Sequence, residues 1–451
     1  MMSVTGTLGA VVLGVALGVA SFGMAFAIGM RRAVLAVVLV RSSCDPLFGL
    51  TQADGGGMGL GAAVNALVIV LALLFCLESP VLIGSAILPW TGFLMAGLAS
   101  VISSPEPFMK AFRAFLAITS YAAVFALPFA LIRSREWALR CLTVVMCSSI
   151  IPIAYAFVEL ASGRAATADG VRVSSTFTHP NIFAFYLVGL FALTLFLLRS
   201  SLVSLSPRIR GWLVLYLPVI IILLLLTGTR SAWIGGAIIL IVYASVVDKR
   251  YLLCLPLVLL VIYLPGVVER LSDLQTGNLD YGYAVLNSYA WRKILWQSAL
   301  DWLMENRSEY LVLGYGFGSF EYYQPLFFPR AVEPVGAHNA LLQIFFEMGI
   351  LGLLGFLWLF VSLFAKLRIG YPFDKGGTII MMTLALAYLA ACYADNMLGY
   401  LVFQWYFWFV MGVVCAWYQL HSTPQPVHTS TARGLILAPK HRGAYRFARF
   451  D

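Results

Sequence analysis

Long apolar runs recur along almost the whole chain, and they constrain its fold more than any other feature. A run of about 20 apolar residues is long enough to cross the hydrocarbon core of a bilayer. Only 11% of the 451 residues are charged, against about 25% in average soluble chains. Backbone groups cannot stay unpaired in lipid, so such runs form helices. The sequence therefore predicts an all-α, polytopic transmembrane helix bundle.

The apolar runs predict about twelve membrane spans, separated by short loops and one long polar loop. The spans cover residues 8–30, 63–77, 82–103, 110–132, 138–160, 182–199, 211–227, 231–247, 251–267, 341–365, 377–400 and 401–420. The first run has no cationic segment before it and no clear cleavage site, so we do not interpret it as a removable signal peptide. The predicted organisation comprises an N-terminal bundle at 1–267, a long outer loop at 268–340, membrane helices at 341–420 and a basic tail at 421–451.

Lysine and arginine residues mark one side of the predicted bundle. They follow the fourth, sixth, eighth and tenth spans and fill the tail, at Arg133, Arg135, Arg140, Arg199, Arg208, Arg210, Lys249, Arg250, Lys366, Arg368, Lys375, Arg433, Lys440, Arg442, Arg446 and Arg449. The excess of positive charge on cytoplasmic loops assigns this side to the cytoplasm and the 268–340 loop to the outside. Arg31 and Arg32 would lie at the outer end of the first span, against this pattern. Either they are interfacial, or Ala33–Val40 is part of a thirteenth, shorter span, and we prefer twelve spans.

The net charge of +9 does not indicate a nucleic-acid partner. Most of the excess is this inside-positive bias, and the basic tail could contact anionic membrane lipids. No pair of the seven cysteines has the spacing of a metal site or a disulfide. No carboxylate cluster marks a metal site either, so we predict neither metal nor cofactor.

Two short outer segments interrupt the apolar pattern. The first ends in His179–Pro180–Asn181, where the proline suits the first turn of a helix, so that His179 either caps this helix or takes part in chemistry. The second is the tight turn Thr227–Trp233, which places Arg230 between two long apolar spans. A charge in this position needs an anionic partner, such as Asp395 near the outer end of the eleventh predicted span, or a ligand.

The long outer loop contains three further features. Ser288–Met304 has apolar residues near helical spacing, so it predicts an amphipathic helix that lies on the membrane or caps the bundle. This helix carries Arg292, which either snorkels or binds an anion. Gly314–Gly318 predicts a flexible turn, and it lacks the context of a nucleotide-binding loop. The loop ends at His338–Asn339, which continues directly into an apolar helix.

His338, Arg230 and Arg292 share the outer face in this topology, and their combined chemistry is more specific than any one of them. Two guanidinium groups keep their charge and can grip a diphosphate in a bidentate way. A neutral histidine beside them can take a proton from a hydroxyl nucleophile. This combination suits the displacement of a lipid diphosphate by a sugar hydroxyl.

Four motifs in order resemble the superfamily of O-antigen ligases and Wzy-type O-antigen and exopolysaccharide polymerases. They are Thr227–Trp233; Trp291–Trp296; Gly314–Phe320; and His338–Asn339 with Leu342 and Glu347–Gly352. Thr178–Asn181 is similar to a further element upstream, and the likeness covers roughly 170–365. The resemblance implies a GT-C-like membrane glycosyltransferase that uses an undecaprenyl-diphosphate-linked glycan at the periplasmic face of the bacterial inner membrane.

The resemblance also implies roles for individual residues. Arg230 and Arg292 would bind the diphosphate, and His338 would activate or orient the acceptor hydroxyl in a direct, metal-independent, inverting displacement. We further predict substrate-binding roles for Asn339, His179, Asn181, Gly316 and Asp395.

The acceptor stays open at this point. A ligase passes the glycan to lipid A–core, whereas a polymerase passes it to another lipid-linked glycan, and no sequence feature separates the two. A transporter or flippase of lipid-linked oligosaccharides is the main alternative. Transporters place charges near the midplane and often have related halves, whereas the charged candidates here collect at one face. An inactive assembly scaffold is a third alternative.

Overall fold

The structure is a computed structural model, and it describes residues 29–45, 48, 59–78, 80–167, 170–254, 288–306, 308–328 and 335–422. Across these ranges the chain is helical, apart from loops and one antiparallel pair of two-residue strands, β1 (Ala166–Thr167) and β2 (Gly170–Val171). The predicted all-α class is confirmed.

Ten of the helices precede the loop predicted over residues 268–340. They are α1 (Met30–Val40), α2 (Leu60–Glu78), α3 (Pro80–Ile87), α4 (Thr91–Ile102), α5 (Phe108–Leu131), α6 (Arg135–Ser148), α7 (Ile150–Ala161), α8 (Pro180–Arg199), α9 (Pro207–Leu226) and α10 (Arg230–Val246). Short 3₁₀ turns follow or join them at Arg41–Ser43, Leu88–Trp90 and Lys249–Cys254.

Five more helices lie in and after the long loop. They are α11 (Ser288–Asn306), α12 (Ser319–Phe327), α13 (Ala340–Arg368), α14 (Lys375–Ala391) and α15 (Leu401–Ser422). Two further 3₁₀ turns occur at Ser308–Leu311 and Met397–Gly399.

Within the described residues, eight helical stretches are long and apolar enough to cross a membrane. They are Leu60–Glu78, Gly84–Ile102, Phe108–Leu131, Arg135–Ala161, Pro180–Arg199, Pro207–Leu226, Ala340–Arg368 and Leu401–Ser422. Each coincides with a predicted span, and α10 and α14 are shorter apolar helices at two others. The prediction of one span over 377–400 is wrong at its end, because α14 stops at Ala391 and Asp395 lies in the loop beyond it.

Two of the predicted spans fall largely outside the described residues. The 8–30 span is described only from Gly29, and the 251–267 span only as far as Cys254. Nothing in the structure tests them, and the number of spans stays a prediction.

The short helix α1 resolves the conflict over Arg31. The guanidinium carbon of Arg31 lies 5.8 Å from the centre of the Trp137 ring, and that of Arg140 lies 5.3 Å from the same ring. Arg31 therefore sits at the end of the bundle that carries the basic cluster around Arg140. This favours the alternative in which Ala33–Val40 belongs to a helix of its own.

Three other basic segments also meet at one end of the bundle. Asp374, which is fully buried, accepts hydrogen bonds from the hydroxyl groups of Ser200 (2.7 Å) and Tyr418 (2.9 Å). This joins the loop after α8 to the turn between α13 and α14. The Arg199 guanidinium lies 4.8 Å from the centre of the Tyr251 ring, which adds the segment after α10. The basic segments that follow three different helices thus share one end.

Helix α15 forms the centre of the bundle. It packs against α5, α6, α8 and α13, and nearly all of its residues are buried. Trp405 and Trp408 lie almost fully out of contact with solvent, and the Trp408 ring meets Trp90 with 4.6 Å between centroids. Because lipid tails are as apolar as these side chains, close packing rather than hydrophobicity holds such helices together.

Helix α11 caps the bundle instead of lying flat with its apolar face in lipid. Its buried side chains, among them Leu295, Ala299 and Leu303, join a second hydrophobic cluster with residues of α12 and the start of α13. The Trp296 indole donates a hydrogen bond of 2.6 Å to the backbone carbonyl of Ala337. Helix α11 therefore fixes the segment that ends at His338.

The segment Gly314–Gly318 is not the flexible turn that the sequence predicts. Its three glycines have positive φ angles, while Tyr315 and Phe317 are buried. The backbone N–H of Tyr315 donates to the Phe346 carbonyl, and that of Gly316 to the Glu347 carbonyl, both at 2.9 Å. These bonds satisfy carbonyls released by a kink in α13, where Gly349 has φ +64°. The glycines permit this close docking of backbone on backbone.

We expect Gly349→Ala to lower the free energy of unfolding by about 3 kcal/mol or more. A Cβ atom there would lie 2.2 Å from the Val312 carbonyl oxygen and would also be strained by the positive φ. Gly163→Ala is the matched control, because Gly163 has φ +71° with no atom within 4 Å of an added Cβ. Thermal unfolding in detergent measures both variants, and equal losses would show that the docking is unimportant.

Candidate functional site

A network of polar side chains lies at the end of the bundle opposite the basic segments. Its centre is Asp395, whose residue surface is 2% exposed. One carboxylate oxygen accepts hydrogen bonds from the Asn181 amide (2.9 Å) and the Tyr400 hydroxyl (2.8 Å). The Ser231 hydroxyl donates to the other oxygen. These charge-assisted bonds compensate for the burial of the carboxylate.

Asn181 extends this network to the turn between α9 and α10. Its side-chain oxygen accepts hydrogen bonds from the Thr229 hydroxyl (3.1 Å) and from an Nη atom of Arg172 (3.2 Å). The Nε atom of Arg172 also donates to the Thr227 carbonyl at 3.4 Å. A third guanidinium group therefore lies against the turn that carries Arg230.

The network holds the backbone of Arg230 in place. Arg230 is the first residue of α10, and its side chain is half-buried. The residue before it, Thr229, bonds to Asn181, and the residue after it, Ser231, bonds to Asp395. The short polar turn thus places a permanent cation at the helix N-terminus, where the helix dipole also favours an anion.

Arg292 reaches the same region from α11. Its guanidinium donates a 2.7 Å hydrogen bond to the carbonyl of Ala394, next to Asp395. The backbone N–H of Ala340 donates to the carbonyls of Cys392 (2.8 Å) and Asp395 (3.2 Å). The loop after α14 therefore connects Arg292 to the segment that carries His338.

His338 lies among these charged groups in an unusual backbone conformation. It has φ +48°, and it is one of two described residues other than glycine with a positive φ. For such a residue this conformation costs roughly 1–2 kcal/mol, and strain of this kind is often found at functional sites. The Trp291 ring meets the imidazole edge-on with 6.2 Å between centroids.

The surroundings of His338 favour the neutral imidazole. Burial, assisted by Arg292 and His179 and opposed by Asp395, lowers the pKa of His338 to about 4. Burial also lowers the pKa of His179, with Arg172 acting in the same direction. Both histidines are therefore neutral at neutral pH, and each can accept a proton or a hydrogen bond.

Two of the predicted substrate-binding residues also have local structural roles. The Nδ1 atom of His179 accepts a hydrogen bond from the Asn181 backbone N–H (3.1 Å) and caps α8. The side-chain oxygen of Asn339 accepts one from the Leu342 backbone N–H (3.0 Å) and caps α13. Side-chain oxygens at this position satisfy backbone donors that the first helical turn leaves free.

Gly316 lies apart from this network. A Cβ atom on it would lie 2.3 Å from the backbone nitrogen of Ser104, so its close contact with the turn after α4 explains the glycine. Substrate binding by Gly316 stays a prediction without a contact that supports it.

The structure thus brings together His338, Arg230, Arg292, His179, Asn181, Asn339 and Asp395 at one end of the bundle. The sequence arguments missed Arg172, Tyr400 and Ser231. Arg172 carried a usable signal, because it is a cation in the same short polar segment as His179. Tyr400 carried no such signal in the sequence, because a tyrosine at a helix end is common near membrane interfaces.

Comparison with known families gives one match. Residues 213–357 match the family model described as O-Antigen ligase. The matched segment contains Arg230, Arg292, Gly316, His338 and Asn339, and it leaves Asp395 and the upstream His179 and Asn181 outside. No curated protein matches the chain. The resemblance that the motifs indicate is therefore confirmed over residues 213–357: this segment of a multi-pass membrane protein is similar to the O-antigen ligase family.

Proposed function

We propose that this protein transfers a glycan from undecaprenyl diphosphate to a hydroxyl acceptor at the periplasmic face of the inner membrane. The observation that carries the proposal is the convergence of Arg292 and His338 with the Arg230 turn on one buried carboxylate, Asp395. The O-antigen ligase match supports glycan transfer in general. The basic segments at the opposite end support the periplasmic side, because the positive-inside rule favours the cytoplasm for them.

The proposed reaction is a direct displacement at the anomeric carbon. The acceptor hydroxyl oxygen attacks this carbon and forms the new glycosidic bond. The bond from the carbon to the diphosphate oxygen breaks, and undecaprenyl diphosphate leaves with the electron pair. The hydroxyl proton passes to the neutral imidazole of His338, and attack opposite the leaving group inverts the configuration.

The two arginines would stabilise the leaving group. Arg230 and Arg292 approach from different elements, so a diphosphate between them could bond to both guanidinium groups. Charge that develops on the diphosphate in the transition state strengthens these contacts, which lowers the barrier. In this proposal the guanidinium groups provide the positive charge that a metal ion supplies in other transferases.

Donor binding would also make His338 a stronger base. In the free protein the cation of Arg292 opposes a charge on the imidazole. A bound diphosphate offsets this cation, so the pKa of His338 rises towards its usual value. A base whose pKa lies closer to the working pH accepts the proton more readily in the transition state.

Histidine titration tests this account of His338. In the free protein we expect its imidazole to protonate only as the pH falls through about 4, because burial and Arg292 hold it neutral. Activity that needs the neutral form is then present at neutral pH and is lost on acidification. NMR of histidine-labelled protein measures the pKa, with His338→Asn to assign the signal, and added undecaprenyl diphosphate should raise it. A free-protein pKa of about 6.5 or above would contradict the account.

A reconstituted assay tests the proposed function. The purified protein in proteoliposomes receives undecaprenyl-diphosphate-linked oligosaccharide together with either lipid A–core or further lipid-linked repeats. A new lipid A–core product would identify a ligase, and a ladder of longer lipid-linked glycans would identify a polymerase. Donor that crosses the bilayer without either product would instead identify a transporter.

A further inference from the structure

A cavity of about 430 Å³ lies beside the proposed active site. It lies between the first half of α5 and the first half of α13. Residues of the segment 396–401 and of the long loop also line it. Its lining residues are Lys110, Arg113, Ala114, Ala117, Ile118, Tyr121, Phe317, Glu321, Gln343, Ile344, Glu347, Met348, Asn396, Leu398, Gly399 and Leu401. None of them belongs to the network around Asp395.

Side chains with carboxylate or amide groups line part of this cavity. Glu347 is buried, with 6% of its surface exposed, and it accepts a 3.2 Å hydrogen bond from the Gln343 amide. Glu321 and Asn396 lie on the same cavity. The side-chain oxygen of Asn396 is buried without a hydrogen-bond partner, which is costly unless a ligand or water supplies a donor. Such groups suit the hydroxyl groups of a sugar, which both donate and accept.

The cavity reaches the protein surface at the outer end of α5. The Lys110 side chain, which lines it, is 46% exposed and pairs with Glu106. The two preceding residues, Phe108 and Met109, expose large apolar side chains, as expected for a helix end that faces lipid. A saccharide on a membrane anchor could therefore approach the cavity from the bilayer.

Asn396 lines the cavity and also lies close to the segment that carries His338. A Cβ atom on Gly336 would lie 2.5 Å from the Asn396 amide nitrogen and 3.4 Å from a Glu321 carboxylate oxygen. Gly336 is two residues before His338, and Asp395 precedes Asn396 in the chain. The segment Gly336–His338 and the segment Asp395–Asn396 therefore lie next to each other. Asn396 lines the cavity, and Asp395 belongs to the network.

We propose that this cavity binds the sugar of the acceptor whose hydroxyl group is glycosylated. The inference rests on the proposed function, because a transferase must bring two substrates together at one base. Arg230 and Arg292 lie at the Asp395 network and would hold the donor diphosphate. The acceptor sugar then occupies the cavity on the other side of the Asp395–Asn396 segment, from which its hydroxyl group reaches His338.

Steady-state kinetics of cavity variants test the proposal. We expect Asn396→Ala and Gln343→Ala each to raise the KM for the acceptor roughly 3- to 10-fold, as expected for one lost hydrogen bond. Ala114→Trp fills the cavity and should raise it further, while the KM for the donor stays within about 2-fold. Arg133→Ala is the matched control, because Arg133 is exposed just beyond the other end of α5. Thermal unfolding shows that each variant is folded.

The possible outcomes separate this proposal from the proposed function. An active wild-type protein with unchanged acceptor KM in all three variants overturns the cavity assignment alone. A rise in the donor KM instead assigns the cavity to the donor and also overturns it. Transport without transfer overturns the proposed function.

Photocrosslinking tests whether the cavity binds the acceptor, and it does not require catalytic activity. A photoreactive residue at position 114 should capture radiolabelled lipid A–core or lipid-linked repeat, whichever is the acceptor. The same residue at Ile151, which is exposed on α7, should capture neither. Failure of both glycolipids to crosslink at position 114 would overturn the proposal, even in an inactive preparation.

Discussion

His338→Asn should reduce glycan transfer by roughly 10²- to 10⁴-fold, the usual contribution of a general base, while the protein stays folded. Asparagine tolerates the positive φ at this position better than most residues, so the change removes the imidazole without a large backbone cost. His338→Ala should show the same loss of transfer with somewhat lower stability. Initial rates in proteoliposomes, together with thermal unfolding in detergent, measure both effects.

His421→Ala is the matched control for His338. His421 is exposed near the C-terminal end of α15, at the end of the bundle where the basic segments meet. We expect full activity in this variant. Full activity in the folded His338 variants would exclude His338 as the base and leave it a residue that only shapes the loop.

Arg230→Ala and Arg292→Ala should each abolish detectable turnover, and Arg230→Lys and Arg292→Lys should recover only a small part of it. Lysine keeps the charge but cannot form the paired hydrogen bonds of a guanidinium group with a diphosphate. Because the contacts strengthen as charge develops on the leaving group, we expect kcat to fall as well as the donor KM to rise. Initial rates at varied donor concentration separate the two effects.

Lys293→Ala is the matched control for Arg292, since Lys293 is the next residue of α11 and its side chain is exposed. It should retain full activity. Equal losses in Lys293→Ala and Arg292→Ala would indicate a general effect of charge on α11 instead of a specific contact. Unchanged turnover in both alanine variants at Arg230 and Arg292 would exclude the proposed diphosphate site.

The sequence predicted the helices well because the membrane leaves few alternatives. Lipid offers no hydrogen-bond partners for the backbone, so a long apolar run becomes a helix whatever its neighbours are. It predicted the end of α14 poorly, because residues 392–400 are apolar enough to continue a helix. Asp395 is buried, and a buried carboxylate needs hydrogen-bond partners. In the loop beyond α14 it finds them in Asn181, Ser231 and Tyr400, which lie elsewhere in the chain or after the loop.

The glycines of 314–318 show a second limit of sequence arguments. Glycine indicates positive φ angles and close backbone approach, but it does not predict which segment of the chain packs against it. The pattern suggested a flexible turn, whereas the structure uses it to dock on the kink at Gly349. The partner carbonyls of Phe346 and Glu347 lie more than 25 residues later in the chain, and only tertiary contact brings them there.

By itself the sequence determined a polytopic helical protein with His338, Arg230 and Arg292 at one face, because periodic hydropathy and charge act locally. The sequence offered Asp395 as a possible partner of Arg230, but tertiary structure alone decided that Asp395 bonds to Asn181, Ser231 and Tyr400. It also decided that Arg172 lies beside them and that Asn396 lines a nearby polar cavity. Each of these features depends on hydrogen bonds or packing between residues far apart in the chain. No local pattern encodes such distances, because they follow from how the helices pack together.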